Sequence, residues 1–508
     1  MSNLSELLPS GGGQNQVEFV ASGTVPNGKP VVLKSNGQIE VVTQTPVSDG
    51  TTAYGNFAAR SDGDNSTVYH EAEGCIVSCW KDQSNGFTYA KAGVVSANSN
   101  SISWGSTVQS TVSGNANNFA PTSMIYDPSS KKVMIFKNNV AFGLSVSGTT
   151  VTWDNNYGYD YDDTGTPKTA IGLDYDPTHE VIVITFANQH GRISVRTLDT
   201  STMTFGTRVQ PNGTVTSGNF VAKIVYDKNT GKHICIFDGG NYNTRPKYSI
   251  ISITGSSGSN VTFTSPASLS LPNYSGYVAY AGLNIVQDPV SNFIMVMWAG
   301  SNDYGNVRGY LFSTTGITST TNTTVFASYA SQNFNVISFP PSGAIFGMWK
   351  LDADPQSTRG ASFSGMAANS TIAYTTVFNV GNGQKERNHV QNNNIGAYAS
   401  NANKIVIGLH NYESGNSQIR PANIYIVQPQ YSHTNLTSTN LIGINSATTS
   451  SGATAKINTW GGINESQTSL TIGSDYYAQT NGTITTATGG QKLGQAISAT
   501  TINMRNQP

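Results

Sequence analysis

Charge is what this chain of 508 residues has least of. Asp, Glu, Lys and Arg together make up 11% of it, and 27 basic residues stand against 28 acidic ones, a net charge of -1. Proteins that bind phosphate backbones cluster Lys and Arg; no cluster occurs here, which excludes nucleic acid as the main partner. Cysteine is nearly absent as well, with only Cys75, Cys79 and Cys235. Cys75 and Cys79 lie about 13 Å apart along an extended run, beyond disulfide reach. The expectation is three buried free thiols, a pattern that suits assembly in a reducing cytoplasm. No stretch approaches the roughly 20 apolar residues of a membrane helix, so membrane insertion is not expected. Met1 to Pro9 carry neither the basic nor the apolar region of a secretory signal.

What is abundant is glycine, 52 residues, beside aromatics at 10%. Val, Ile, Thr, Tyr and Phe recur in short alternating runs. Disordered chains combine high net charge with few such residues. The composition therefore reads as all-β with many tight turns.

The strongest signal is an internal repeat. "PTSMIYDPSSKKVMIFKN" around Tyr126 returns as "TAIGLDYDPTHEVIVITFAN" around Tyr175 and "FVAKIVYDKNTGKHICIFDG" around Tyr226. It returns again as "YAGLNIVQDPVSNFIMVMWAG" around Gln287. Weaker copies surround Tyr69, Phe339 and Tyr398, and successive markers lie 57, 49, 51, 61, 52 and 59 residues apart. In each copy a strand runs into Tyr-Asp-Pro or a degenerate form of it, where Asp and Pro begin a reverse turn. The next strand is apolar on both faces, as in Val133 to Phe136, which requires cover on both sides. A third strand returns, and a thinner fourth completes six of the copies. Four strands per unit of about 50 residues predict a seven-bladed β-propeller of four-stranded antiparallel blades; solenoid repeats are usually shorter. The seventh copy lacks a clear fourth strand after "IYIVQPQ", so closure must borrow one from elsewhere or use residues near His433 to Leu436.

Small β-rich modules flank the repeats. Asn27-Gly28 and Asn36-Gly37 before them, and Asn481-Gly482 after them, sit between alternating apolar stretches as hairpin turns. The expected organisation is a flexible arm over 1–16, an N-terminal β-module over 17–50, the propeller over 51–439 and a C-terminal β-module over 440–508. The two flanks share the similar phrases "LKSNGQIEVV" and "AQTNGTITTA", which points to pairing or one composite module.

"GSDYYAQTNGTITTA" with "GQAISATTINM" resembles a C-terminal module of tail-fibre-like and structural proteins of marine tailed bacteriophages. The opening "LLPSGGGQNQVEFVASGTVPNGKPVVLKSNGQIEVV" is similar to the N-terminal module of the same group, and the "YDP" blades to the propellers between such ends. The resemblance covers most of the chain but its motifs are structural and specify no chemistry. It implies a virion component assembled in the host cytoplasm, on tail, baseplate or capsid surface; the expectation is a tail-associated, fibre-, adhesin- or baseplate-like protein active in attachment or host-surface recognition. Other virion proteins and a host-surface glycan are the implied partners, and symmetric homo-oligomers are usual for such parts. A capsid-surface decoration protein is the alternative, and a glycan-active enzyme on a propeller frame the remote one.

Catalytic signals are few. The Ser-x-Asp-x-Gly-x-Thr-Trp boxes of sialidases, a Gly-x-Ser-x-Gly elbow and a phosphate-cradling Gly-Lys-Ser/Thr loop are all missing. The seven histidines are scattered without ligand spacing, and Asp160, Asp162, Asp163 and Gly165 lack the spacing and terminal Glu of a calcium loop. The expectation is a protein that is not an enzyme and has no cofactor. Arg192, Arg245, Arg308 and Arg420, with Arg359 nearby, would fall on one rim as a carboxylate or phosphate clamp, or simply as solvated loop charges. The best binding candidate is "WDNNYGYDYDDTGTP". Tyr157, Tyr159 and Tyr161 alternate there with Asp160 and Asp162, aromatic faces for sugar C–H groups beside carboxylates for hydroxyls. The plainer reading is an Asp-rich turn packed on the next blade.

Overall fold

The computed structural model describes residues 15–47, 50–61, 65–81, 87–110, 123–137, 140–159, 169–187, 193–210, 222–237, 246–255, 260–272, 283–300, 304–328, 330–351, 357–380, 386–387, 396–411, 420–429, 431–437 and 439–505. Among these residues the chain is all-β and antiparallel in its ladders, with one short 3-10 turn at Pro340–Ser342. It divides into two units, 48–430 and the combined ends 1–47 with 431–508.

The larger unit holds seven antiparallel sheets, numbered here 1 to 7 in chain order. Sheet 2 sets the pattern, with Ser123–Asp127, Lys132–Lys137, Val140–Ser147 and Thr150–Tyr159 side by side in sequence order. The second strand explains why the fold needs neighbours. Val133 and Ile135 turn toward sheet 1, while Met134 and Phe136 turn toward sheet 3, and all four are at most 1% exposed. Ile294, Val296 and Trp298 of sheet 5 likewise face sheet 4, and Met295, Met297 and Ala299 face sheet 6. Period-two alternation of a strand that is apolar throughout thus puts a hydrophobic core in each of these seams. The first strands of successive sheets lie against one another in chain order from sheet 1 to sheet 7. That of sheet 7, Gly396–Ala399, lies against that of sheet 1, Asn65–His70.

Sheet 7 takes its fourth strand from the other end of the chain. Gly50–Ser61 pairs antiparallel with Arg420–Gln428, from Gly50 opposite Gln428 to Ser61 opposite Arg420. Residues near His433 serve elsewhere, in a two-stranded ladder of Tyr431–Thr434 with Gln44–Val47.

In other sheets the fourth strand is broken in two, and three of these breaks are bridged in the same way. In sheets 4, 5 and 6 a threonine sits at the break: Thr264, Thr321 and Thr375. Each donates its backbone N–H to a third-strand carbonyl, of Ile250, Gly309 and Ser362 respectively. Its side-chain oxygen accepts the N–H of that same residue, at 2.9, 2.9 and 3.1 Å. The hydroxyl replaces the backbone carbonyl that the bulge removes, so the ladder loses no bond.

The combined ends interleave. Their first sheet runs Gln16–Val20, Thr454–Asn458, Leu441–Asn445, Pro30–Leu33, Ile39–Val41, which joins strands from both termini. Gly482 has φ +75°, and a Cβ there would meet the Val42 carbonyl oxygen, so the turn demands glycine. Val32, Val42, Leu441 and Ile444 share a core with Tyr476, Leu493, Ile502 and Met504 of the second five-stranded sheet.

Candidate functional site

The repeated Asp after the first strand is buried and organises the turn that follows it. Asp127, Asp176 and Asp227 are at most 2% exposed. Asp127 accepts from the backbone N of Ser129 at 3.0 Å, from Ser129 Oγ at 2.7 Å and from Ser130 Oγ at 2.6 Å. Asp176 accepts from the N–H groups of Thr178 and His179 at 2.8 and 2.9 Å and lies 3.2 Å from His179 Nδ1. Asp227 accepts from Asn229 N at 3.0 Å and from Thr230 Oγ1 at 2.7 Å. These are side-chain mimics of a turn's own carbonyl, which is why Asp recurs here.

Each of these carboxyls also faces the next sheet. Thr200 Oγ1 of sheet 3 donates to Asp127 of sheet 2. Gln287 Nε2 of sheet 5 donates to Asp227 of sheet 4 at 3.0 Å. Between them, His233 of sheet 4 brings Nδ1 only to 3.8 Å from Asp176. His233 is fully buried, and its ring makes only a weak approach to the Tyr175 backbone, with no hydrogen bond of good geometry. Burial favours its neutral form and outweighs the pull of Asp176. In the same seam Asp174 accepts from the N–H groups of Tyr175 and Tyr226, yet burial still raises its carboxyl from the usual 3.8 to about 7.

Where the turns of sheets 2 and 3 meet they enclose a cleft of about 220 Å³, lined by Ser129, Ser130, His179, Glu180, Asp199, Thr200 and Ser201. Asp199 closes its own turn by accepting from Ser201 Oγ at 2.6 Å and Ser201 N at 2.9 Å. Burial works against its charge, but these bonds and those from Thr202 prevail and hold its carboxyl below the usual range. Among the described residues every lining side chain is polar and none is a Lys or Arg.

The sequence-based site candidates fall elsewhere. Tyr157 and Tyr159 end the fourth strand of sheet 2, their backbones opposite Phe142 and Val140; their side chains, and Asp160, Tyr161 and Asp162 altogether, lie outside the described residues. Of the arginine rim only part lies within the described residues. Arg192 and Arg245 lie outside the described residues, while Arg308 pairs with Val296, the third residue of its second strand, and Arg359 with Trp349, the sixth. Val296 and Trp349 each face the preceding sheet, so the two arginines opposite them lie on equivalent faces of their sheets. Arg308 is spent on its own sheet and the sheet before it, bonding Thr321 O at 3.0 Å, Thr320 Oγ1 at 2.8 Å and Ser270 O at 3.4 Å.

All three cysteines are buried and free. Burial raises the Cys75 and Cys235 thiols to about 12 and Cys79 well above its ordinary value, so none is poised as a nucleophile. Among the described residues no group of three His, Cys, Asp or Glu side chains could hold a metal ion. The cleft residues went unnoticed in the sequence because Ser, Thr and His in turns look generic; the recurring Asp two residues before a Ser was the available signal.

No family model matches the chain, and no curated protein does. Solved structures do resemble it in fold. A periplasmic gluconolactonase of Pseudomonas aeruginosa aligns over 72% of this chain and 96% of its own, with TM-score 0.43 and 10% identity. A protein of Bacteroides uniformis described as a candidate 6-phosphogluconolactonase aligns over 62% and 84%, with TM-score 0.40 and 9% identity. A lectin solved with alpha-methyl fucoside aligns over 62% and 97%, with TM-score 0.36 and 10% identity. Likeness this distant carries no activity over to this chain. It does overturn the expectation of a protein that is not an enzyme: with lactonase-type chains among the neighbours, the architecture gives no ground for excluding catalysis.

Proposed function

We propose that the chain is a seven-bladed β-propeller displayed on a tailed-phage particle, tail-associated and serving attachment to the host surface. The observation that carries the reading is the division of labour along the chain. Both termini are woven into one module, and seven repeat sheets form a continuous insertion between them. Such a module is suited to anchoring, and the insertion to presentation. The blade count rests on first strands that meet in cyclic order and on Gly50–Ser61 completing sheet 7, an arrangement that removes exposed sheet edges. Assignment to a virion rests on the resemblance of the two ends to phage structural modules, and a homo-oligomeric assembly with other virion proteins goes with it.

The test is immunogold labelling of the phage that encodes the chain, with antibody raised against the purified protein. Label at the tail supports the proposal, label over the capsid replaces it with surface decoration, and unlabelled particles that lack the protein by mass spectrometry overturn both.

A further inference from the structure

We propose that the cleft between the turns of sheets 2 and 3 is a binding site for an amino sugar, recognised through its charged primary amine. This deepens the attachment reading and takes from it only the glycan as carrier.

The argument is an inventory of protons. Four hydroxyls line the cleft, and each donates its proton to a carboxylate: Ser129, Ser130 and Thr200 to Asp127, and Ser201 to Asp199. A hydroxyl has one proton and two lone pairs, so toward the cleft these groups can only accept. Ser129 is also in hydrogen-bond contact with the Tyr175 hydroxyl. The imidazole follows suit. His179 Nδ1 lies 3.2 Å from Asp176 Oδ1, which fixes the proton on Nδ1 and leaves Nε2 as an acceptor in the neutral ring. Glu180 and Asp199 add carboxylate oxygens. The backbone N–H groups of Ser129, His179, Glu180 and Ser201 are bonded within their own turns.

A lining of acceptors excludes three ligand classes. Among the described lining residues anions find no Lys or Arg and few donors. Apolar groups find no apolar wall. A neutral carbohydrate can donate its hydroxyls but leaves two carboxylates uncompensated. A primary ammonium supplies three N–H donors and the charge that matches. Sugar hydroxyls beside it supply the further donors that Ser129, Ser130, Thr200 and Ser201 call for. A space of about 220 Å³ is of single-residue size and not that of an extended chain.

The experiment is a calorimetric titration of the full chain with glucosamine, N-acetylglucosamine and glucose, at a pH where the amine is charged. These differ only at one position, as ammonium, amide and hydroxyl. The expected result is saturable binding of glucosamine, with the other two weaker by about tenfold or more. Glu180→Gln combined with Asp199→Asn should abolish the preference; Glu180 is exposed and Asn can still accept its turn bonds, so both variants should fold, and circular dichroism checks this. Equal binding of glucose overturns the proposal, as does glucosamine binding that survives the double substitution. Displacement of glucosamine by calcium at lower concentration makes the site a metal site and overturns it too. Binding of Nα-acetyl-lysine as tight as that of glucosamine removes the sugar from it. None of these outcomes depends on where the protein sits in a particle, so immunolabelling and titration can fail separately.

Discussion

Asp127, Asp176 and Asp227 stand at one position of three consecutive sheets, and their contacts across the seam differ. Thr200 closes on Asp127 and Gln287 on Asp227, each with a hydrogen bond from the following sheet. Opposite Asp176 stands His233, from the second strand of sheet 4, whose Nδ1 stops at 3.8 Å and makes no hydrogen bond of good geometry. The same backbone position is therefore a bonded latch in two seams and an open one in the third. Apolar residues fill this seam as well, with Val183, Ile224, Cys235 and Phe237 in one buried cluster.

Substitutions can break that comparison. Asp127→Ala should cost most, about 2–3 kcal/mol in denaturant melts, because Thr200 is buried and loses its acceptor together with the Ser129 and Ser130 turn. Gln287→Leu should cost about 1–2 kcal/mol, leaving Asp227 Oδ1 with one partner fewer and Lys228 N without the Gln287 carbonyl at 3.3 Å. The seam between sheets 3 and 4 should also respond to pH. Asp174 holds a proton up to about pH 7 when folded and releases it near 3.8 when unfolded. The folded state thus binds more protons between those values, so this group makes stability fall as pH rises from about 4 to 7. Melts of Asp174→Asn across that window should show a flatter profile; an unchanged slope rejects the assignment. His233→Leu should be within about 1 kcal/mol of neutral, or stabilising, since it deletes a buried polar ring that makes no hydrogen bond of good geometry; a loss as large as that of Asp127→Ala would mean the latch is closed in solution. Smallest of all, alkylating reagent should leave native protein unmodified and label all three thiols only after denaturation.

The parts of the fold that were legible in the sequence are those each repeat carries locally. Val133 to Phe136 and Ile294 to Trp298 announce strands covered on both faces, and Tyr-Asp-Pro announces the turn. Asn-Gly marked Gly37 and Gly482, both in left-handed conformations in the structure. The strand Gly50–Ser61 was not legible, because it belongs to no repeat copy and its partner lies some 370 residues away. Thr264, Thr321 and Thr375 gave no sign that they would bridge a break in the fourth strand, since a threonine in a strand is ordinary. The cleft was hidden for a related reason. Ser129 and Ser130 meet Thr200 and Ser201 only once sheets 2 and 3 stand side by side, and the direction of each hydroxyl proton is set by a carboxylate that the sequence shows merely as a turn residue.

Amide hydrogen exchange over residues 50–61 addresses the arrangement of the repeats most directly. Ladder bonds to Arg420–Gln428 should protect this segment as strongly as the second strands, and the two segments should open together as denaturant is raised. Rapid exchange of 50–61 beside a protected 420–428 would contradict the account, for sheet 7 would then lack its fourth strand and keep an exposed edge.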